Sequence, residues 1–194
     1  MRIDYHLVKR PMTGKENECG DTGFIREYDN KCFLSLIDIL GHGKEAHDVS
    51  ILAENYLLEN YRSDLVDMMN RFHLHLKGTR GAVAAFCRLS LIDGEIDYVG
   101  IGNITTRLYG AKPVSFVPRN GIIGYKITTP RNQMAKLFPG DVLILSSDGV
   151  KEHFDLAFYP DLLKGSARII ATNMLEHFGK SSDDASCIVM RYVK

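Results

Sequence analysis

Four aspartates stand where an apolar segment is about to leave or enter the core, and their settings suit metal-binding carboxylates. Asp38 ends the run Leu36-Ile37-Asp38-Ile39-Leu40 and is followed by the glycine-flanked His42 of Gly41-His42-Gly43. Asp148 follows Leu143-Ile144-Leu145-Ser146-Ser147 and precedes Gly149. Asp21 lies in Cys19-Gly20-Asp21-Thr22, and Asp183 lies in Ser181-Ser182-Asp183-Asp184, just before the last apolar stretch. An ionised carboxylate beside a core is costly unless it is paired or bound to a cation. The nearest downstream bases to Asp38 and Asp148 are Lys44 and Lys151, neither obviously placed to neutralise its acid. Converging carboxylates repel each other, and a hard divalent cation is the usual remedy. Oxygen donors with only scattered histidines select Mg2+ or Mn2+ over zinc. For any one of these sites, an Asp-Gly turn at a strand end is the commoner arrangement. The whole set, each member at a strand terminus, shifts the balance towards a metal site.

Such acids must be delivered by strands. Apolar alternation predicts strands over 3–8, 22–28 and 32–39, the last apolar enough to be central and buried. Helical spacing of Ala46, Val49, Ala53, Tyr56 and Leu57 predicts a helix over 44–60. Leu65, Met68, Met69, Phe72 and Leu76 predict another over 63–77, capped by Ser63 and stopped at Gly78. Strands over 82–92 and 95–102 flank Asp93-Gly94, a two-residue hairpin signal. Strands over 104–109, 114–117, 125–129 and 141–146 continue the series, before a helix over 166–178 and a strand over 185–193. Runs of strands beside runs of helices indicate an α+β layered domain with mostly antiparallel sheets. Element order alone leaves the stacking open.

The chain has 194 residues, 45% of them hydrophobic, enough for one well-buried domain spanning 1–194. Lys and Arg number 24 and Asp and Glu 24, so no net charge drives a grip on nucleic acid. Cys19, Cys32, Cys87 and Cys187 are too dispersed for a zinc knot or a disulfide framework and read as reduced thiols. The N-terminal segment alternates like a strand rather than a signal peptide, and no apolar run reaches the ~18 residues of a membrane span. A cytoplasmic monomer that engages neither membrane nor nucleic acid is expected.

At the motifs the sequence resembles the type 2C family of metal-dependent protein serine/threonine phosphatases, in particular its bacterial partner-switching branch. The resemblance rests on Gly20-Asp21, Asp38-Ile39-Leu40-Gly41-His42-Gly43, Gly78-Thr79-Arg80-Gly81-Ala82, Tyr98-Val99-Gly100-Ile101-Gly102-Asn103, Phe138-Pro139-Gly140-Asp141, Ser147-Asp148-Gly149-Val150 and Asp183-Asp184-Ala185-Ser186. Their order holds from about residue 18 onwards. It implies a four-layer αββα sandwich of two mostly antiparallel sheets flanked by helices, with two Mg2+ or Mn2+ ions at one edge. By the same resemblance Asp38 bridges the ions and the carbonyl of Ile39 binds one. Asp148 and Asp183 hold the other, Asp21 contacts the site directly or through water, and Asp184 orients Asp183 or its waters. Asp38 and Asp148 are the acids on which hydrolysis depends. Ile39 replaces the family's usual glycine, and a β-branched residue can serve there only without positive φ. Leu40 occupies the place of a histidine held to donate a proton in animal members; His42 is offset from it and reads equally as a turn histidine. His73 and His75 read as ordinary helix residues.

The implied reaction is hydrolysis by an in-line water without a phosphoenzyme. The implied substrates are phosphoserine or phosphothreonine on small sulfate-transporter-and-anti-sigma-antagonist (STAS) domains of a stressosome. A phosphate-binding arginine found upstream in relatives is replaced here by Lys15 and Glu16. A silent phosphatase-fold binding module is the rival reading, although a pure scaffold gains nothing from clustered carboxylates. A phosphotransferase or nuclease lacks its basic surface or phosphate-cradling glycine loop.

Overall fold

Strand β3 (Lys31–Ile39) shows how the layers stack. Its residues Phe33, Ile37 and Ile39 enter one apolar cluster, while Cys32, Leu34 and Leu36 enter another. Successive strand residues face opposite ways, so a strand with apolar residues on both faces must be covered on both sides. The computed structural model describes residues 1–151 and 158–193. It sets β3 in a five-stranded sheet with β2 (Asp21–Tyr28), β4 (Ala82–Ser90), β5 (Glu95–Ile101) and β10 (Gln133–Lys136), in the order β10-β5-β4-β3-β2. A second five-stranded sheet contains β1 (Arg2–Arg10), β6 (Thr105–Tyr109), β7 (Val114–Phe116), β11 (Val142–Ser146) and β12 (Ala185–Val193), ordered β1-β12-β11-β6-β7. Strand pairing in both sheets is antiparallel. A small ribbon of β8 (Gly121–Ile122) and β9 (Lys126–Ile127) stands apart.

Helices α1 (Lys44–Asn60) and α2 (Leu65–His75) bury Ala53, Leu57, Met68 and Phe72 on the first sheet. Between the sheets, Leu34, Ala85 and Tyr98 meet Leu108, Leu145 and Ile188. On the far side, α3 (Ala167–Phe178) lies over β1 and β12 and packs Ile170, Met174 and Phe178 against Val142, Cys187 and Val189. The order helix, sheet, sheet, helix is the αββα sandwich expected. All four cysteines are buried and free.

Local departures from the sequence expectations have local causes. Helix α2 starts at Leu65, because Asp64 rather than Ser63 caps it, accepting from the backbone N–H groups of Val66 at 2.9 Å and Asp67 at 3.0 Å. Asp93-Gly94 belongs to a longer connection, 91–94, in which Gly94 N donates to Ser90 O and Asp93 Oδ1 accepts from Glu95 N. The tight hairpin is instead Asp29-Asn30, whose φ angles of 44° and 59° suit a two-residue primed turn. The strand expected over 125–129 shrinks to Lys126–Ile127, and β8 and β10 lack any clear alternation in the sequence.

Phe86 lies fully buried where the first sheet meets the helices, with its ring 5.8 Å from that of Phe33 and 5.6 Å from that of Phe72. Phe86→Ala is expected to lower unfolding free energy by about 3–5 kcal/mol, from lost burial plus the cavity left behind. Urea denaturation followed by circular dichroism measures it, and a loss below about 1 kcal/mol contradicts this packing.

Candidate active site

The acids singled out in the sequence meet at one end of the two-sheet sandwich. Asp38 occupies the penultimate position of β3, with the same facing as Leu34 and Leu36, so its carboxylate lies at the rim of the intersheet layer. Asp21 is its cross-strand partner on β2. Asp148 follows β11 in a turn, and Asp183 immediately precedes Asp184 and β12. A cleft of about 340 Å3 is lined by Asp38, Asp148 and Asp183 together with Leu40, His42 and Asn103. Asp21 and Asp184 stand behind this lining, each buried.

This assembly is electrostatically strained. Burial raises the Asp38 carboxyl to about 9, helped by the charges of Asp21, Asp148, Asp183 and Asp184. Burial likewise raises Asp21 to about 6, partly offset by the hydroxyls of Ser147 and Ser186. One oxygen of Asp21, Oδ2, is buried without any hydrogen-bond partner. Asp183 is also raised, first by burial and then by Asp148. An orphaned carboxylate oxygen within an all-oxygen acidic set is the environment a hard divalent cation satisfies. Among the described residues no three His, Cys, Asp or Glu side chains are gathered tightly enough to grip one ion by themselves.

The surrounding backbone is tied down from several directions. Asp184 accepts from Met12 N through Oδ1 and from Gly20 N through Oδ2, both at 2.7 Å, so its carboxylate holds the approach to β2 in place. Asn103 Nδ2 donates to Asp148 Oδ2 at 2.9 Å, and Lys180 Nζ donates to the Asp148 carbonyl at 2.6 Å. Arg80 Nε donates to Leu40 O at 2.9 Å while its Nη1 meets Glu45 Oε2 at 2.8 Å, pinning the loop after Asp38. Gly41 in that loop has φ 84°, and a Cβ there would lie 2.5 Å from Arg80 Nη2. At Gly20 a Cβ would meet the carbonyl oxygens of Gly41 at 3.0 Å and Ile39 at 3.2 Å, so only glycine lets these backbones converge easily. Ile39 is buried at the end of β3 and does not have positive φ, so its β-branch is accommodated.

A family model described as Stage II sporulation protein E (SpoIIE) matches residues 28–193. The chain belongs to the SpoIIE family. It is a type 2C protein serine/threonine phosphatase by class. A curated relative, the phosphoserine phosphatase RsbX of Bacillus subtilis (strain 168), is 27% identical over 135 residues, covering 68% of this chain and 67% of the relative. A chain solved in work described as "The bacterial stressosome: a modular system that has been adapted to control secondary messenger signaling" superposes with TM-score 0.89 at 28% identity, covering 98% of this chain and all of that one. RsbX solved in complex with magnesium superposes with TM-score 0.84 at 22% identity, covering 97% of this chain and 94% of that one.

Within this SpoIIE-family fold, Asp184 stands apart from its neighbour Asp183: both its oxygens already accept from backbone, whereas Asp183 lines the cleft. His42 also lines the cleft and is exposed, while Leu40 takes the position two after Asp38. His73 accepts from Gly124 N through Nδ1 at 3.1 Å and His75 packs on Tyr56, both remote from the acids. Lys15 is paired with Glu18 at 3.0 Å. The roles of Lys180 and Arg80 were not legible in the sequence, because each acts on a backbone carbonyl and carbonyls leave no pattern there.

Two outcomes follow from this geometry. Asp184→Ala is expected to destabilise the protein by about 2–4 kcal/mol, because it strands one buried and one half-buried N–H donor. Asp183→Ala is expected to change stability by less than about 1 kcal/mol, and denaturant titration of both variants checks the contrast. In metal-free protein, Asp38 and Asp21 keep protons to higher pH folded than unfolded. Their contribution is therefore fully present below about pH 4 and is lost as pH rises through about 6 and about 9. Thermal melts in EDTA should show a midpoint falling from about pH 5 to about pH 9, with a shallower fall in Asp38→Asn.

Proposed function

We propose that this chain is a metal-dependent phosphatase that removes phosphate from phosphoserine or phosphothreonine on regulatory proteins of a bacterial stress-signalling pathway. The observation that carries the reading is the cleft in which Asp38, Asp148 and Asp183 converge with no lysine or arginine among its described lining residues. Support for the substrate class comes from RsbX, named a phosphoserine phosphatase, and from the stressosome chain with the same fold. The STAS domains of such assemblies are the substrates we propose. RsbX solved in complex with magnesium supports a divalent metal cofactor; the cofactor we propose is Mg2+ or Mn2+, two ions per site.

Asp38, Asp148 and Asp183 are the carboxylates that would hold the cations, with the Ile39 carbonyl beside Asp38 and Asp21 behind it. When bound, the cations neutralise phosphoryl oxygens and make a water acidic enough to act as nucleophile near neutral pH. The chain's own residues supply placement. Asn103 fixes one oxygen of Asp148 and leaves the other to point elsewhere. Asp184 anchors Gly20, and through it the adjoining Asp21. Arg80 holds Leu40, so the backbone after Asp38 keeps one path. A water oxygen then bonds to phosphorus as the seryl or threonyl oxygen leaves, one proton of that water passes to the departing oxygen through solvent to give the free hydroxyl, and hydrogen phosphate is released. Cysteine chemistry is disfavoured, because burial and the neighbouring carboxylates push the Cys19 thiol up to about 12.

Hydrolysis of p-nitrophenyl phosphate with Mn2+ or Mg2+, abolished by EDTA, tests the enzyme reading. A screen of phosphorylated stressosome proteins tests the substrate class. Asp38→Asn and Asp148→Asn should each retain the fold and lose more than about 100-fold in kcat/KM, exceeding the range typical for outer ligand partners. Wild-type turnover by Asp38→Asn protein sinks the site assignment, and trapping of a phosphorylated residue of this chain sinks the direct hydrolysis.

A further inference from the structure

The second sheet is only partly roofed. Helix α3 stands over β1 and β12, at the far side of that sheet from β6 and β7. Along β6, Thr106 and Leu108 turn into the protein, so Thr105 and Arg107 face outward. On β7, Phe116 turns inward, Ser115 lies opposite Arg107, and the following Val117 is 66% exposed. These outward residues line a groove of about 360 Å3, and Asn103 belongs both to this groove and to the carboxylate cleft. The two depressions therefore adjoin at Asn103. Around the other side of Thr105, Arg107 shares a crevice with Lys151 and Ser146.

Charge distinguishes this face from the cleft it adjoins. Among the described residues, neither the groove nor the crevice has an Asp or Glu in its lining. The side chains of Arg107 and Lys151 have no hydrogen bond or ion pair among the described residues. Arg62, Arg80 and Lys164, by contrast, are each paired with a carboxylate at the surface. An acidic polypeptide approaching the carboxylate cleft meets repulsion, which a neighbouring cationic face offsets.

Resting on the phosphatase reading, we propose that the outer face of β6 and β7, centred on Arg107, docks the polypeptide flanking the phosphorylated residue. The segment it fits is extended and carries Asp or Glu. Phosphate enters between Asp38 and Asp148 while the flank runs past Asn103 onto Thr105, Arg107, Ser115 and Val117. Lys151 adds a second cation at the margin. The face sets substrate preference through KM and takes no part in the chemical step.

The test uses the whole protein with Mn2+ and a pair of phosphoserine peptides that differ only in Asp and Glu against Asn and Gln beside the phosphoserine. The wild type should show the lower KM for the acidic peptide, with the difference shrinking as salt is raised. Arg107→Glu, and separately Ser115→Glu, should raise that KM roughly tenfold while leaving the neutral peptide within about twofold. Hydrolysis of p-nitrophenyl phosphate, which has no flank, should stay within about twofold of wild type in both variants. Equal KM for the two peptides in the wild type overturns the docking face, as does a parallel loss on peptide and p-nitrophenyl phosphate. A wild type that turns over p-nitrophenyl phosphate but shows no acidic preference removes only this inference. One inactive on every phosphomonoester removes the phosphatase reading, and the docking face with it.

Discussion

Mutual repulsion among buried carboxylates is the constraint around which this molecule is arranged. Asp38 has its proton affinity raised by burial and by Asp21, Asp148, Asp183 and Asp184 together. Left to themselves such groups move apart or stay protonated. They are held by strands that cannot move independently: β2 and β3 pair through Asp21 and Asp38 themselves, and β11 and β12 pair through Val142–Ser146, just before Asp148, and residues 187–191, just after Asp183. The antiparallel ladders thus resist the charge cluster at its base, and the apolar layer between the sheets resists it from below.

Polar contacts complete what the ladders begin, and they are divided between two tasks. Asp184, Arg80 and Lys180 bind backbone groups and decide where the chain runs. Asp38, Asp148 and Asp183 face the cleft and leave oxygens for a ligand. Asn103 bridges the tasks, since it fixes an acid while forming part of the wall. An acidic residue can therefore serve here by holding backbone rather than by facing the cleft, as Asp184 illustrates.

Much of this was legible in the sequence because it is periodic or compositional. The apolar residues on both faces of 32–39 mark a strand covered on both sides, and that in turn implies stacked layers. The helices over 44–60 and 166–178 were marked by stripes of Ala, Leu, Ile and Met that now sit against the sheets. The acids were visible because charge beside apolar runs is conspicuous. What stayed hidden has short or non-local causes. The hairpin at Asp29-Asn30 depends on backbone angles, the strand β10 on pairing with β5, and the divergent duties of Asp183 and Asp184 on N–H groups of residues far away in the chain. Adjacent identical residues cannot be told apart by composition.

The pairing of β1 with β12 has a consequence for biosynthesis. The first strand of the second sheet finds its ladder partner only in Ala185–Val193, and Met12 and Gly20 find their acceptor only in Asp184. Contacts of such long sequence separation close late, because the intervening loop must be ordered before they are rewarded. On the ribosome, β2 to β5 can assemble early beneath α1 and α2, whereas the acid cluster waits for the last strand to emerge. The acid cluster thus depends on a segment made long after the strands that carry Asp21 and Asp38.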